Sequence, residues 1–316
     1  MLIEAARNHA SMQVPVVAPE DTAAEILRDL TGRRFESVAH LAVCRDRKFL
    51  GIIRIEDLLA APGKSQAQSF MDAHAPKVTN GMDQEIAAWH AVQRGESGLA
   101  VVDAQGDFHG VIPPQRLLKV LLLEHEEDLS RLGGFMKSTA NARATALENV
   151  LRRFGHRLPW LLFGLIGAYF AADFMGRFEG LLRDNILISF FIPGIVYLAD
   201  AIGTQTETVI VRGLSVGVKV RQTIVRELLT GLTIGAVLAA IAYPFILWRW
   251  GQPQIAVGVS LSLFSACSTA TIIAMILPWG LSRCGVDPAF GAGPLATVIQ
   301  DILSILIYFA IVTHFA

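Results

Sequence analysis

The sequence predicts a multi-domain membrane protein, in which an α/β tandem repeat is followed by an all-α bundle of five transmembrane helices. The chain of 316 residues is 53% hydrophobic and has a mean hydropathy of +0.46. That is too apolar for an ordinary soluble protein. Most acidic side chains lie in the first 150 residues, whereas the long uncharged stretches follow residue 158. Two kinds of domain are therefore expected.

The first half contains two similar segments, "HLAVCRDRKFLGIIRIEDLLAA" (40–61) and "GLAVVDAQGDFHGVIPPQRLLKV" (98–120). Each reads as strand, polar turn, strand and amphipathic helix, and each follows a helical segment. Thr22 and Glu25 have the spacing of a capping box at the start of the first such segment. The pattern predicts two β-α-β-β-α units in tandem, about 60 residues apart.

Five apolar stretches in the second half are long enough to cross a bilayer. Pro193 and Gly194 are expected to interrupt the second, and Pro278 to end the fourth. The short connections predict a compact bundle. The predicted helices cover about 158–181, 186–211, 226–249, 255–282 and 289–315.

Lysines and arginines at the ends of these helices predict their orientation, because cytoplasmic loops carry an excess of both. The N-terminal half is then cytoplasmic and the C-terminus lies outside, in a multi-pass protein of the cell (inner) membrane. No signal peptide is predicted. The inner flanks carry Arg152, Arg153, Arg157, Arg212, Lys219, Arg221, Arg226 and Arg283, and the outer loops carry Arg177, Arg183 and Arg249.

The last apolar stretch contains one carboxylate, Asp301, with Thr297 one turn earlier on the same face. A charge at the bilayer centre costs about 2.5–3.5 kcal/mol on insertion scales. The nearest basic residues in the sequence, Arg283 and His314, lie toward the membrane surfaces. We therefore expect Asp301 to serve a function.

The second apolar stretch contains a polar group of five side chains within two turns. Unpaired polar groups in hydrocarbon are too costly to face lipid, so these side chains should face water or one another. The alternative is that acids such as Asp173 and Glu207 neutralise nearby arginines. The five are Asp200, Thr204, Gln205, Thr206 and Glu207.

Carboxylates that face a wet cavity favour a hard cation such as hydrated Mg²⁺, which one or two carboxylates can hold. Zinc or copper is not indicated, because Cys44, Cys267 and Cys284 show no ligand spacing. The mildly acidic first half makes nucleic acid a poor partner. The candidate pore ligands for Mg²⁺ or another divalent cation are Asp301, Asp200, Thr204, Gln205, Thr297 and Glu207.

The paired units resemble CBS domains, whose clefts often bind an adenine nucleotide. That family ends its last strand with Gly, two hydrophobic residues, Thr or Ser, and an aspartate three positions later. Here "GIIRIED" keeps Asp57 but has Arg54 at the hydroxyl position, and "GVIPPQR" has Arg116 where the aspartate belongs. The resemblance implies one degenerate nucleotide site at Asp57 and Arg54. A purely dimerising scaffold is the alternative.

The whole arrangement resembles the MgtE family of magnesium channels and transporters. The shared elements are "RLPWLL" opening the first span, "GRFEG" (176–180), "GTQ" (203–205) and "DPAFGAGPLATVIQD" (287–301). The resemblance implies an N-terminal segment (1–12), CBS unit 1 (13–64), CBS unit 2 (65–127), a connecting plug helix (128–155, helical over about 138–153) and a transmembrane domain (156–316). The family's N-terminal superhelical domain has no counterpart here and is expected to be lacking.

The resemblance further implies a homodimer with pores near its axis, and it places the ion-binding aspartate of the last span at Asp301. The family's Gly-Asn-Ala-Gly-Thr-Gln element corresponds to "DAIGTQ" (200–205), with Ala201 replacing the asparagine. In that family, intracellular magnesium gathers acidic faces and closes the pore. The candidate sensing acids here are Glu124, Glu126, Glu127 and Asp128, for which a solvated helix face is the alternative.

Two functions are therefore indicated. The first is a divalent-cation channel or transporter in the lipid bilayer, gated by its cytosolic CBS domains. The alternative is a non-conducting membrane sensor of divalent cation or nucleotide that signals to a partner, which the replacement at Ala201 favours. No HExxH or GxSxG motif is present, so an enzyme is not expected.

Overall fold

The computed structural model describes residues 5–135, 147–218, 220–290 and 292–315. It divides into two compact units, Ile3–His125 and Glu126–Ala316. The first is α/β, and the second is helical throughout its described part. The predicted fold class is confirmed.

The first unit contains two three-stranded sheets, each built by one β-α-β-β-α repeat. In both sheets the first strand pairs in parallel with the second, which pairs antiparallel with the third. The strands are β1 (Val16–Val17), β2 (His40–Arg45), β3 (Lys48–Arg54), β4 (Lys77–Thr79), β5 (Leu99–Val102) and β6 (Phe108–Ile112), and the helices are α1 (Ala23–Leu30), α2 (Ile55–Ala60), α3 (Ala67–Phe70), α4 (Gln84–Arg94) and α5 (Pro114–Leu132).

The two repeats agree in strand register as well as in order. Val16 pairs with Ala42 in the first sheet, and Lys77 pairs with Ala100 in the second. Both antiparallel pairs contain a register shift at the same place in the repeat, after Val43 and after Val101. A bulge bends the strand and increases its twist, so the two sheets are shaped alike. The tandem repeat predicted from the sequence is confirmed.

Local sequence accounts for the helix starts in these repeats. Thr22 and Glu25 form the predicted capping box, since the Thr22 hydroxyl accepts from the Glu25 amide and the Glu25 carboxylate accepts from the Thr22 amide. Asp83 caps α4 by accepting from two backbone amides. Each helix then buries an apolar face, as with Ile26 of α1 and Leu117 of α5.

The second unit contains five helices that are long and apolar enough to cross a membrane, among the residues that the structure describes. They are α6 (Val150–Gly176), α8 (Leu187–Ser215), α9 (Val220–Trp250), α10 (Pro253–Arg283) and α11 (Ala292–Val312), and the short α7 (Glu179–Asp184) follows α6. Residues 136–146 of the predicted connecting segment (128–155) lie outside the described residues, and its first residues, up to Leu132, form the end of α5. From Val150 onward its sequence is the first part of α6.

Two prolines behave differently from expectation. Pro193 does not interrupt α8, and Pro278 does not end α10, because both helices continue through them. Pro193 lies in the second turn of α8, and Pro278 lies about one and a half turns before the end of α10. Proline inside a membrane helix is tolerated where neighbouring helices and local adjustments satisfy the freed backbone group.

Helix α10 is the most buried of the five and packs against α8, α9 and α11. Small residues allow close helix contacts. Gly231 of α9 lies against Thr271 of α10, and Gly167 of α6 lies against Val298 of α11. Near the other end of α11, the buried Tyr308 hydroxyl donates to the Ile188 carbonyl oxygen of α8 at 2.6 Å. These contacts position the two helices that carry the candidate site.

Candidate functional site

Asp301 lies in the third turn of α11 and is half-buried, with Thr297 half-buried one turn before it. No ion pair among the described residues includes Asp301. The neighbouring charge that acts on it is another carboxylate, Asp200 of α8. The arrangement differs from a charge neutralised inside the bundle, where an acid is paired with a base.

Asp200 is half-buried and repels both Asp301 and Glu207, so these three carboxylates share one electrostatic environment. Glu207 lies two turns along α8 and is 3% exposed. The three do not converge on a common point. Among the described residues, no group of three or more His, Cys, Asp or Glu side chains could hold a metal ion. An ion held here by one or two carboxylates would keep part of its water.

Thr204 and Gln205 do not join this group. Both are exposed, on the side of α8 away from the buried Gly203 and Glu207. A helix turns by about 100° per residue, so neighbouring residues cannot all share one face. The sequence reasoning treated the polar set as a single group, and the structure divides it between two faces.

The residue pair that sequence reasoning did not place together is Gly203 and Gln300. Gln300 of α11 is 2% exposed, and its amide lies directly against Gly203 of α8, where a Cβ would overlap with it. The missing side chain at Gly203 therefore makes room for a polar group between the two helices. The feature of the sequence that could have indicated this contact is a glutamine in an apolar helix, next to an aspartate.

Asp173 has the surroundings that the alternative interpretation predicts, in which an acid pairs with a nearby arginine. It lies in the last turn of α6 and pairs with Arg177 at 3.4 Å, with both side chains well exposed. The expectation that this carboxylate neutralises an arginine is confirmed. Asp173 is therefore set apart from Asp200, Glu207 and Asp301.

The last turns of α5, from Glu126 onward, belong to the second unit and contain most of the acidic run. Asp128 is 4% exposed and accepts a hydrogen bond from Ser215, the last residue of α8, at 3.2 Å. Burial raises the pKa of Asp128. Arg131 is 5% exposed and bonds both Glu127 and Asp287, the latter five residues before α11. The end of α5 therefore contacts both helices that carry the candidate site.

The other two sensing candidates have different surroundings. Glu124 is half-buried and accepts a hydrogen bond from the Gln84 amide of α4. Glu126 is also half-buried, and it is not without a polar or charged partner. The four acids thus do not form one solvated face.

Two arginines of the first unit each bond a glutamate of the other repeat. Arg54, at the end of β3, bonds Glu96 at 2.5 Å, and this glutamate raises the pKa of the arginine. Arg116 binds Glu36 through two hydrogen bonds of 2.6 and 2.8 Å. Asp57 is exposed in the first turn of α2. Both arginines are thus engaged by carboxylates, and Asp57 remains accessible.

The fold and the buried carboxylates define a polytopic membrane protein with paired α/β modules ahead of its bundle. Comparison with known families shows what these two parts resemble. Residues 192–311 match the MgtE family, described as divalent cation transporter, and residues 8–64 match the CBS domain. The two halves of the chain are thus similar to these two families, and the resemblance inferred from the sequence is confirmed.

Curated relatives show the same similarity. The chain is 30% identical over 287 residues to the magnesium transporter MgtE of Bacillus subtilis, which covers 89% of this chain and 62% of that protein. It is 26% identical over 302 residues to the magnesium transporter MgtE of Thermus thermophilus, covering 92% and 65%. The chain thus spans less than two thirds of the length of these relatives.

A solved structure with local similarity is the cytosolic domain of the Mg²⁺ channel MgtE in complex with ATP. The match has 23% identity and a TM-score of 0.34, and it covers 35% of this chain and 46% of that one.

Proposed function

We propose that this chain is a divalent-cation channel or transporter, with Mg²⁺ as its principal substrate, and that Asp301 binds the ion. The observation that carries the proposal is a half-buried carboxylate inside a membrane helix with another carboxylate, Asp200, as its charged neighbour. Two neighbouring negative charges in a low-dielectric region are stabilised by a cation. The similarity to magnesium transporters supports the same substrate.

The test is Mg²⁺ flux into proteoliposomes that contain the purified chain. Asp301→Asn keeps the shape of the side chain and removes its charge, so we expect flux to fall at least about tenfold, the change that 1.4 kcal/mol of lost binding produces. Asp173→Asn, in the exposed pair with Arg177, is the matched control and should retain flux. Unchanged flux in Asp301→Asn would contradict the role of this residue.

A non-conducting sensor is the second candidate, and Ala201 is the residue that favours it. In the MgtE-like element of α8, this apolar residue stands where an asparagine is expected. A sensor would bind divalent cations without moving them. Saturable uptake by the purified chain alone would exclude this candidate.

We also propose a homodimer in which α8 of one copy faces the other. Tyr197, Thr204, Gln205 and Thr208 form an exposed stripe on α8. Hydrogen-bonding side chains are disfavoured against lipid, so a second copy accounts for their exposure. Disulfide cross-linking of Thr204→Cys in a Cys284→Ser background should yield a dimer, whereas Leu229→Cys, exposed on α9, should not.

Gating by the first half is proposed to act through α5. Asp128 contacts Ser215 of α8, and Arg131 contacts Asp287 beside α11. A cation that changes the position of α5 would therefore act on both helices. Flux inhibition by Mg²⁺ on the cytosolic side should be lost in Arg131→Met while flux itself persists.

A further inference from the structure

Helices α9 and α10 form an antiparallel pair whose relative height is set by one close contact. Only residues 251 and 252 separate the two helices, and Gly231 of α9 lies against Thr271 of α10. A helix rises about 1.5 Å per residue, so Arg221 lies about 15 Å along α9 from this contact, and Arg283 lies about 18 Å along α10 from it. The start of α9 and the end of α10 are therefore nearly level, with one arginine on each.

An exposed apolar stripe continues from each of these two arginines along its own helix. Arg221 and Arg283 are themselves exposed. Residues spaced by three or four positions share one face of a helix. On α9 the stripe contains Val225 and Leu229, and on α10 it contains Ile272, Ile276 and Trp279.

Both stripes lie on the same side of the helix pair. Each residue turns the helix by about 100°, which places Arg221 and its stripe about 80–160° from Gly231. The same rule places Arg283 and its stripe about 80–140° from Thr271, in the same sense of rotation. Because the helices are antiparallel, similar turns away from their contact lead to one side of the pair. The two arginines and the two stripes therefore form one surface, called here the α9–α10 surface.

The exposed threonines of α9 need no polar partner outside the helix. The Thr230 hydroxyl donates to the Arg226 carbonyl oxygen at 2.8 Å, and the Thr233 hydroxyl donates to the Leu229 carbonyl oxygen at 2.7 Å. Unsatisfied polar groups are too costly against hydrocarbon, whereas hydroxyls bonded within their own helix are tolerated there. The exposed side of α9 is thus suited to contact with lipid acyl chains.

The end of this surface that carries the arginines is positively charged. No ion pair among the described residues includes Arg221 or Arg283. Helix α10 contains no acidic residue, and Glu227, the one acid of α9, is half-buried. An anion that approaches the two guanidiniums therefore meets little repulsion.

Trp279 orients one of these guanidiniums. The Arg283 guanidinium lies over the Trp279 ring, 5.1 Å from the ring centroid. A stacked guanidinium keeps its N–H donors at its edge, in the fork that matches a phosphate. Tryptophan is also enriched at the level of lipid headgroups in membrane proteins. The pair therefore presents phosphate-binding donors directly above an apolar stripe.

We propose that the α9–α10 surface binds an anionic phospholipid. Arg221 and Arg283 hold the headgroup phosphate, and the acyl chains lie along the stripes that begin at Val225 and Trp279. Two guanidiniums favour a headgroup with net negative charge over a zwitterionic headgroup, whose amine they repel. The binding requires only a membrane-spanning helix pair, so it does not depend on cation transport.

Displacement of a fluorescent phosphatidylglycerol from the full chain in detergent tests this site. Unlabelled dioleoyl phosphatidylglycerol should displace the probe. Dioleoyl phosphatidylcholine should need a concentration at least about fivefold higher, the factor that one arginine near an anionic lipid surface supplies. Equal displacement by the two lipids would overturn the proposal.

Arginine variants locate the site. Arg221→Gln and Arg283→Gln should each weaken binding of the probe by roughly fivefold, because each removes one attraction to the headgroup. Arg249→Gln is the matched control, since Arg249 is also exposed and lies over a tryptophan, Trp250, but at the other end of α9. It should leave binding of the probe unchanged.

Arg226→Gln distinguishes a defined site from general attraction to positive charge. Arg226 is at the same end of α9 but is turned by about 140° from Arg221. Its replacement should weaken binding of the probe less than Arg221→Gln does. Equal losses in Arg221→Gln, Arg226→Gln and Arg249→Gln would show diffuse attraction and would overturn the proposal.

Inorganic phosphate distinguishes a lipid site from a site for a free anion. At millimolar concentration it should leave the probe bound, because it has no acyl chain to contact the stripes. Full displacement by phosphate would mean that the arginines bind a free anion, which would overturn the assignment to a lipid.

Discussion

Arg131, in the last turn of α5, bonds the Asp287 carboxylate directly ahead of α11. The same guanidinium also bonds Glu127, one turn earlier on α5. Asp287 in turn accepts from the Ala289 amide at 2.7 Å, which fixes the turn that leads into α11. A side chain at Gly293 would meet the Leu132 carbonyl oxygen, so backbone and side chains fasten α5 to the start of α11.

Breaking the ion pair between Arg131 and Asp287 should destabilise the second unit. Removing one partner of a buried ion pair costs about 3–5 kcal/mol, because the other charge is left uncompensated. We expect Arg131→Met and Asp287→Asn to be non-additive, with a coupling free energy of about 1–3 kcal/mol in a double-mutant cycle of denaturation free energies. The exposed pair Arg183 and Glu179 is the control and should couple by less than about 1 kcal/mol. Additive effects at Arg131 and Asp287 would contradict the contact.

Asp128 should make stability depend on pH. Burial raises its pKa, so the folded protein retains this proton at pH values where the unfolded chain has released it. Its contribution therefore decreases stability as pH rises from roughly 4 toward the raised folded value. Asp128→Asn, which can still bond Ser215, should raise the melting temperature at pH 7 by about 2–4 °C, equivalent to 1 kcal/mol.

The difference between Asp128→Asn and the wild type should shrink as the pH falls below the raised pKa of Asp128 in the folded protein, where this acid is protonated. Asp29→Asn, exposed on α1, should show no such dependence. A melting temperature that Asp128→Asn lowers equally at pH 7 and at acidic pH would contradict the destabilising effect of burying this charge.

Gly203 should not tolerate a side chain. Alanine is normally favoured over glycine inside a helix by about 0.5–1 kcal/mol, but at this position a Cβ overlaps with the Gln300 amide. We expect Gly203→Ala to lower both thermal stability and Mg²⁺ flux, and Gln300→Ala to restore stability in the double variant. Gly194→Ala on the same helix meets no atom within 4 Å and is the control. Equal stability of the two alanine variants would refute the close approach.

Glu96 should limit binding at the nucleotide site that the resemblance to CBS domains predicts at Asp57 and Arg54. An anionic phosphate that approaches Arg54 must displace this glutamate, whose side chain is only 9% exposed. We expect Glu96→Gln to tighten ATP binding by roughly tenfold, which corresponds to 1.4 kcal/mol. Isothermal titration of the full chain measures this. Glu20→Gln, which releases the exposed Arg45, is the control and should leave the affinity for ATP unchanged. An unchanged affinity in Glu96→Gln would contradict a role for Arg54 in nucleotide binding.

Sequence alone determined the two kinds of domain, the tandem β-α-β-β-α repeat and the five apolar helices. Each depends on local periodicity, capping and hydropathy, which neighbouring residues encode directly. Asp301 could be chosen for the same reason, because a lone acid in an apolar helix is visible in the sequence. The predicted effect of Pro193 and Pro278 is wrong, because a membrane helix continues through a proline where local adjustments or neighbouring helices satisfy the freed backbone group.

Tertiary structure alone decided which polar residues meet. It divided Thr204 and Gln205 from Glu207, set Gln300 against Gly203, and joined Arg131 to Asp287 across more than 150 residues. Helix rotation and pairing depend on side-chain packing between distant segments, and a difference of one residue turns a side chain by about 100°. Hydropathy specifies that a helix is buried in the membrane, whereas only packing specifies what each of its faces contacts.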